Sequence, residues 1–480
     1  MRDRSVRCAL WMKANGLLPG DVVMICDHHH LDVAMPCLAA LYLGAIFNPL
    51  HVEVTGEDLY RMMKITTPKM AFVNEELAGI FAEAIEKMTV DIKLVTFGRR
   101  TGFLQFEKII TEQKIDEVQN YRCTPIKSSN ETAVIVWTSG SSGVPKGVAL
   151  PHSAILGRLK GPEVYGANAL NFTSLGWVSE VLSMLEPIVT NETRFLAPTF
   201  EEYTACALIE KLRTVSLFLS PFMINRLIRS DALDKYDLSS LRRIITSGCT
   251  LSVVSRKALK KKVPHTLIVV MYGMSETGGA FSVQDNESKP TSTGVILPNR
   301  QLKVVDPDTG RVLGANQMGE LCLKTCSMMK YYWKNPEATV SVLDEDGWLH
   351  SGDLGYYDED GEIFVVDRLK DLISCPEYNV CPADIENVLL SHPGVKEVVV
   401  VAMPHPVDIE QPIAFVVRTD ASIVDKQVTE QELIDFVAAK LPDGKRLRGG
   451  VRFLEHLPKT STDKVRRSEL RELARRIALT

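Results

Sequence analysis

Short apolar runs separated by amphipathic stretches constrain this chain more than any other feature of it. Val22–Cys26, Met70–Val73, Lys93–Phe97, Ala133–Thr138 and Leu267–Met271 have the length and composition of buried strands. Between them, Leu77, Ile80, Phe81, Ala84 and Ile85 share one helix face, and Glu201–Leu212 repeats that spacing. Such alternation specifies an α/β fold with largely parallel sheets. Glycine and acidic residues then cluster in hairpin-like turns, Asp344-Glu345-Asp346-Gly347 and Asp358-Glu359-Asp360-Gly361. Beyond Arg368 the pattern restarts as a small α+β unit. Its helices are expected over Pro382–Leu390 and Glu430–Ala439, and its strands over Val395–Val401 and Pro412–Arg418. The expected organisation is a large domain at residues 1–369 and a small one at 370–480.

Composition removes several function classes. The net charge of -5, with mixed signs along 480 residues, gives no basic stripe for nucleic acid and no acidic tail. The ten cysteines form no CxxC pair, so neither a zinc knuckle nor a redox dithiol is expected, and the chain reads as reduced and intracellular. The longest apolar run, Leu38 to Phe47, falls short of the roughly 20 residues that a membrane span requires. The first residues carry charge with no apolar stretch behind them, which does not fit a signal peptide. A soluble protein is expected. His28-His29-His30 is not read as a metal site, because adjacent residues of a strand face opposite ways. Lys260-Lys261-Lys262 reads as a solvated helix end.

The sharpest chemical signal is Thr138-Ser139-Gly140-Ser141-Ser142-Gly143-Val144-Pro145-Lys146-Gly147, directly after an apolar strand. Four hydroxyls, three glycines and a lysine make a loop whose N–H and O–H groups can wrap phosphates. It is not a Walker A loop, since Pro145 stands where that motif needs Gly before Lys. A second turn, Met271-Tyr272-Gly273-Met274-Ser275-Glu276-Thr277, also follows a strand. It would lie at the carboxyl end of a parallel sheet, where open α/β folds bind ligands. Further along come Thr246-Ser247-Gly248-Cys249, Gly347-Trp348-Leu349-His350-Ser351-Gly352-Asp353, Val365-Val366-Asp367-Arg368-Leu369-Lys370-Asp371 and Leu457-Pro458-Lys459-Thr460-Ser461-Thr462-Asp463-Lys464-Val465.

In this order, these stretches resemble the adenylate-forming superfamily of acyl-CoA ligases, beetle luciferases and peptide-synthetase adenylation domains. The resemblance spans nearly the whole chain. It implies an α/β large domain of parallel-sheet αβα layers with a β-barrel-like subdomain, followed by a small mobile α+β lid. It also implies that the loop Thr138–Gly147, with Lys146, cradles the ATP phosphates, and that Tyr272 packs on adenine beside Ser247, Gly248 and Gly273. Ser275 would contact the α-phosphate and Glu276 would hold Mg²⁺. Asp353 would accept hydrogen bonds from the ribose diol and Arg368 would donate to the nucleotide; outside that role Arg368 would pair with Asp367 or Asp371. Leu369 and Lys370 would be the hinge, and Lys464 the catalytic lysine beside the substrate carboxylate. Trp177, with Gly248 and Gly273, would line the acyl pocket.

The activity so implied is an ATP-dependent carboxylic acid:CoA ligase working through an acyl-adenylate. Its acid would be a fatty acid or an aromatic, coumarate-like acid, with ATP, Mg²⁺ and coenzyme A as cofactors. The alternatives are a luciferase-type monooxygenase and a catalytically impaired paralogue that binds nucleotide or acyl ligand. The sequence departs from the family pattern at several points. Its first helix, expected over Ser5–Gly16, lies about fifty residues into typical relatives, which implies a shortened start. Ser247 and Glu377 stand where relatives carry glycine, and Asp463 replaces the glycine before the catalytic lysine. Lys324-Thr325-Cys326 replaces Arg-Gly-Pro. Ser374 occupies the position of a second lysine of beetle luciferases, which argues against light emission. Peroxisomal residence is common among luciferase-like relatives, yet the ending Ile-Ala-Leu-Thr lacks the usual address and leaves the cytoplasm as the alternative.

Overall fold

The computed structural model describes residues 1–88, 90–138, 145–159, 168–249, 251–285, 287–375, 379–406, 408–419, 428–459 and 465–479. The chain forms two compact units: Met1–Leu302 with Leu323–Leu349, and Lys303–Cys322 with His350–Thr480.

The first unit contains two large sheets. One runs in the order Tyr331–Tyr332, Lys146–Pro151, Thr132–Thr138, Ile46–Pro49, Val22–Cys26, Met70–Val73, Lys93–Thr96, Leu104–Gln105. Its interior pairs are parallel, and only the Thr132–Thr138/Lys146–Pro151 hairpin and Tyr331–Tyr332 beyond it run antiparallel. Every residue of Val22–Cys26 and Met70–Val73 is buried, as continuous apolar strands with both faces covered must be. The other sheet runs Val295–Ile296, Gly279–Gln284, Leu267–Met274, Arg243–Ser247, Ser216–Phe218, Ala169–Asn171, Arg194–Leu196. Here too the parallel part ends in an antiparallel hairpin, formed by Leu267–Met274 and Gly279–Gln284. Thus both motif-bearing turns follow the last parallel strand of a sheet.

Local sequence chemistry sets the helix starts. The Thr55 hydroxyl accepts from the Asp58 N–H, the Glu201 carboxylate from those of Tyr203 and Thr204, and the Ser220 hydroxyl from that of Met223, with Pro221 in the first helical turn. The apolar run Leu38–Phe47 divides into the end of helix Ala34–Tyr42 and the start of strand Ile46–Pro49. Among the described residues no helix is long and apolar enough to cross a membrane.

A five-stranded sheet, most of whose residues belong to the second unit, runs Val312–Leu313, Arg300–Val305, Gly319–Thr325, Leu349–Tyr357, Ile363–Arg368. The turn at Asp358 to Gly361 joins its last two strands, with the Gly361 N–H donating to the Asp358 carbonyl at 3.0 Å. The remainder packs helices Pro382–Leu390, Glu430–Ala438 and Arg467–Ala478 on the sheet Val395–His405, Ile409–Arg418, Val451–Phe453. The expected hinge residues Leu369 and Lys370 lie inside this unit, in a 3₁₀ turn over Leu369–Asp371.

Candidate active site

In the first unit, Thr138 ends one arm of the antiparallel hairpin and Lys146 begins the other, paired with it. Ser139, Gly140, Ser141, Ser142 and Gly143 lie outside the described residues. The Lys146 ammonium sits 5.0 Å from the centre of the Tyr332 ring, a cation–π contact. The Tyr332 hydroxyl in turn donates to Glu276 Oε1 at 2.8 Å. Tyr332 is held by the sheet: its strand pairs with Val148 and Ala149, and the Trp333 N–H donates to the Gly147 carbonyl at 2.7 Å. One aromatic residue therefore links the loop lysine to the predicted metal-binding carboxylate. Sequence reasoning missed it, because no motif surrounds the Tyr331-Tyr332 pair.

Glu276 is buried, in a 3₁₀ turn over Ser275–Thr277 that the Thr277 hydroxyl caps by accepting from the Met274 N–H at 3.2 Å, while it lies 2.7 Å from the Gly279 carbonyl. A buried carboxylate oriented by a phenol offers hard oxygen to a cation, which fits Mg²⁺. Ser247 pairs with Met271 on the neighbouring parallel strand, which brings Gly248 beside Tyr272 and Gly273. A Cβ on Gly273 would lie 2.2 Å from the Gly279 carbonyl oxygen, so that glycine lets the hairpin close. Gly248 has φ of +95°, and a Cβ there would fall 2.6 Å from ring atoms of Trp177. The tryptophan lies over the glycine, so two of the three residues expected at the acyl pocket are packed together.

Behind Trp177, the fully buried Glu180 carboxylate organises the loop. Its Oε2 accepts from Asn171 Nδ2 at 2.7 Å, from the Ser183 hydroxyl at 3.1 Å and from the Thr173 hydroxyl at 3.3 Å, while Oε1 pairs with Arg194. His29 completes the group, its Nε2 2.5 Å from the Thr173 carbonyl and its Nδ1 3.5 Å from Glu180 Oε1. His30 turns instead to Asp27, at 2.9 Å, so His29 and His30 face different partners. Lys260 donates to the Thr266 carbonyl and Lys262 pairs with Asp234, as expected of a solvated helix end.

A second missed feature is a pair of guanidiniums. Arg158, on helix His152–Leu159, is buried, and among the described residues no carboxylate pairs with it or with Arg300. Burial first, and then the like charge of Arg158, push Arg300 down to about 10. Two partly dehydrated cations together favour an anion.

In the second unit, Asp353 and Arg368 are cross-strand partners. The buried Asp353 carboxylate takes Arg368 Nε at 2.6 Å, and Arg368 Nη1 donates to the Ser351 carbonyl at 3.1 Å. Both predicted nucleotide contacts thus form one unit, and the partner of Arg368 is Asp353, not Asp367 or Asp371. Asp367 accepts from the Arg368 backbone N–H at 2.7 Å and from Cys381 Sγ at 3.1 Å. Burial, and then the charge of Asp367, push that thiol up to about 12. Asp371 pairs with Arg471, whose Nη2 also donates to the Lys370 carbonyl at 3.0 Å. Ser374 is exposed, and its N–H donates to Glu410 at 2.8 Å. Glu377, Asp463 and Lys464 lie outside the described residues.

Two largely parallel sheets, each closed by an antiparallel hairpin beyond its last parallel strand, together with a second, α+β unit, make up the architecture of this chain. The chain belongs to the AMP-binding enzyme family: the AMP-binding enzyme model matches residues 1–333, and the AMP-binding enzyme C-terminal domain matches residues 384–464. It is 33% identical to luciferin 4-monooxygenase of Photinus pyralis over 98% of this chain and 88% of that protein. It is 31% identical to 4-coumarate–CoA ligase 4 of Arabidopsis thaliana over 97% of this chain and 84% of that protein. The fold superposes on ATP-bound MatB from Rhodopseudomonas palustris with a TM-score of 0.87 at 24% identity, covering 99% and 93% of the two chains. The expected adenylate-forming superfamily and its α/β fold are therefore borne out.

Proposed function

We propose that this chain is an ATP-dependent carboxylic acid:CoA ligase that works through an acyl-adenylate, on a fatty acid or an aromatic, coumarate-like acid. The observation that carries the reading is the Lys146–Tyr332–Glu276 connection at the carboxyl end of the parallel strands. A cation beside a buried carboxylate that would hold Mg²⁺ is what a triphosphate with its metal requires. A carboxylate does not acylate a thiol at neutral pH, because its leaving group is poor. Transfer of AMP supplies a good one, and the protein's task is to position the reactants and stabilise the charge of the departing pyrophosphate. Lys146 and the loop Thr138–Gly147 would bind the phosphates, Glu276 would hold Mg²⁺, and Asp353 with Arg368 would meet the ribose. Lys464 would stabilise the attacking carboxylate. Rotation at Lys370 would then withdraw it so that coenzyme A can approach.

The 33% identity to a luciferin 4-monooxygenase favours a second reading, the luciferase-type monooxygenase, which Ser374 opposes. Product analysis decides between them. The ligase reading expects acid-, ATP- and CoA-dependent acyl-CoA. Light from luciferin without acyl-CoA formation would replace it with the second reading.

Two variants test the geometry. Tyr332→Phe keeps the ring beneath Lys146 but removes the hydroxyl on Glu276, and should weaken apparent Mg²⁺ affinity by about 10–100-fold. A Mg²⁺ titration of the initial rate checks it; an unchanged midpoint would separate Tyr332 from the metal. Gly248→Ala forces Trp177 off its seat and should raise KM for the acid by about 10-fold or more, the scale of one methylene in a tight pocket. Comparing KM for the acid with KM for ATP checks that the loss falls on the acid.

A further inference from the structure

Glu320 and Cys322 stand two residues apart on the strand Gly319–Thr325, so alternation turns both side chains to one face. His350, on the adjacent strand Leu349–Tyr357, meets them there. Its Nδ1 is 2.8 Å from Glu320 Oε2 and 3.6 Å from Cys322 Sγ, and the three ligand atoms lie within 4.8 Å of one another. For a tetrahedral zinc ion, bond lengths of about 2.0 Å to nitrogen and oxygen and about 2.3 Å to sulfur give N···S near 3.6 Å and N···O near 3.3 Å. The thiol–imidazole spacing already matches. The carboxylate need retreat by only about half an ångström, exchanging its hydrogen bond to the imidazole for the ion.

The surroundings resemble a prepared site. The other carboxylate oxygen, Glu320 Oε1, accepts from the Gly352 N–H at 3.0 Å and is thereby oriented, as metal-binding carboxylates usually are. Cys322 closes the inner side, fully buried, while the Glu320 and His350 side chains keep 14% and 34% exposure. An ion could therefore enter from solvent and retain water as its fourth ligand. A thiol beside an imidazole selects a soft or borderline ion, unlike the hard oxygen offered by Glu276.

We propose that Glu320, Cys322 and His350 form a binding site for a thiophilic divalent cation of the zinc class, separate from the adenylation chemistry. On binding, the Cys322 thiol gives up its proton to solvent and its sulfur bonds the metal. For His350 to coordinate through Nδ1, the proton that this nitrogen donates to Glu320 must leave it, passing to Nε2 in a neutral ring or to solvent from an imidazolium, so each ion releases the thiol proton and, from an imidazolium, a second one. The proposal does not rest on the ligase reading.

The test uses the full chain with the exposed Cys123, Cys249 and Cys326 replaced by serine. Titration with Co²⁺ should produce a sulfur-to-cobalt charge-transfer band with tetrahedral d–d absorption, saturating at one ion per chain. Zn²⁺ should displace it without further proton release, whereas Zn²⁺ added to the metal-free chain should release at least one proton per ion in weak buffer. C322S should abolish the band, and H350N and E320Q should each weaken binding by about 10–100-fold. E320Q, at a partly exposed position, keeps the test valid if C322S fails to fold. No charge-transfer band in the parent chain, or full-affinity binding by E320Q and H350N, would overturn the proposal.

Discussion

Lys464→Ala is expected to lower acid-dependent exchange of pyrophosphate into ATP by about 10²–10³, while thiolation of supplied acyl-AMP continues. The size follows from the loss of one preorganised charge that acts only while the carboxylate attacks phosphorus. The asymmetry follows from the proposed two-step use of one site. In that proposal Lys464 would serve the first step and be carried away before the second. Anchors on either side of this segment are visible in the structure: Lys459 and Val465 form an antiparallel bridge, and Lys459 pairs with Glu397 at 3.0 Å. Both half-reactions should be measured on the same preparation, one by label exchange and the other by acyl-CoA formed from synthetic acyl-AMP. An equal loss in both would remove Lys464 from the role proposed here.

The largest stability effect is expected at Glu180. Its carboxylate is fully buried and serves Arg194, Asn171, Thr173 and Ser183 together. Glu180→Leu would leave the largely buried Arg194 guanidinium without its counter-charge and three polar groups without their acceptor. Removing one partner of a buried ion pair costs about 3–5 kcal/mol. Urea unfolding should record that loss in the transition of the first unit. Replacing Arg194 by leucine as well should cost less than the sum of the two single changes, because no isolated charge then remains buried. Strict additivity would mean that the two residues do not act as a pair. The network also supports the Asn171–Trp177 segment, so the single variant should broaden acid selectivity along with losing stability.

Some elements were legible residue by residue, and the reasons are local. Val22–Cys26, Met70–Val73 and Pro382–Leu390 occur with the boundaries expected from sequence, two as uninterrupted buried strands and one as a helix opened by proline. The first helix begins at Arg2, ahead of the expected Ser5, because its first turn carries charge and gives no apolar signal. Strand Val395–His405 runs past Val401 because its ladder with Ile409–Arg418 continues through Met403, Pro404 and His405. A ladder of backbone bonds leaves no trace in hydropathy once the side chains leave the core. Among the site residues, Lys146, Glu276, Asp353 and Arg368 could be found because they stand in motifs of contiguous residues. Tyr332 could not, since its partner Glu276 is 56 residues away; Glu320 and His350 lie 30 apart. Only the sheets bring those groups together, and chain-distant pairs of common residue types carry no pattern that a single sequence can reveal.

Adenylation of a carboxylic acid is reversible, so exchange of labelled pyrophosphate into ATP reads it out without coenzyme A. The assay should be screened over fatty and cinnamic-type acids, with coenzyme A added afterwards. Exchange should depend on one class of acid and on Mg²⁺, followed by acyl-CoA once the thiol is present. No exchange with any acid, from folded protein that binds ATP, would contradict the ligase reading and leave a nucleotide- or acyl-binding paralogue in its place.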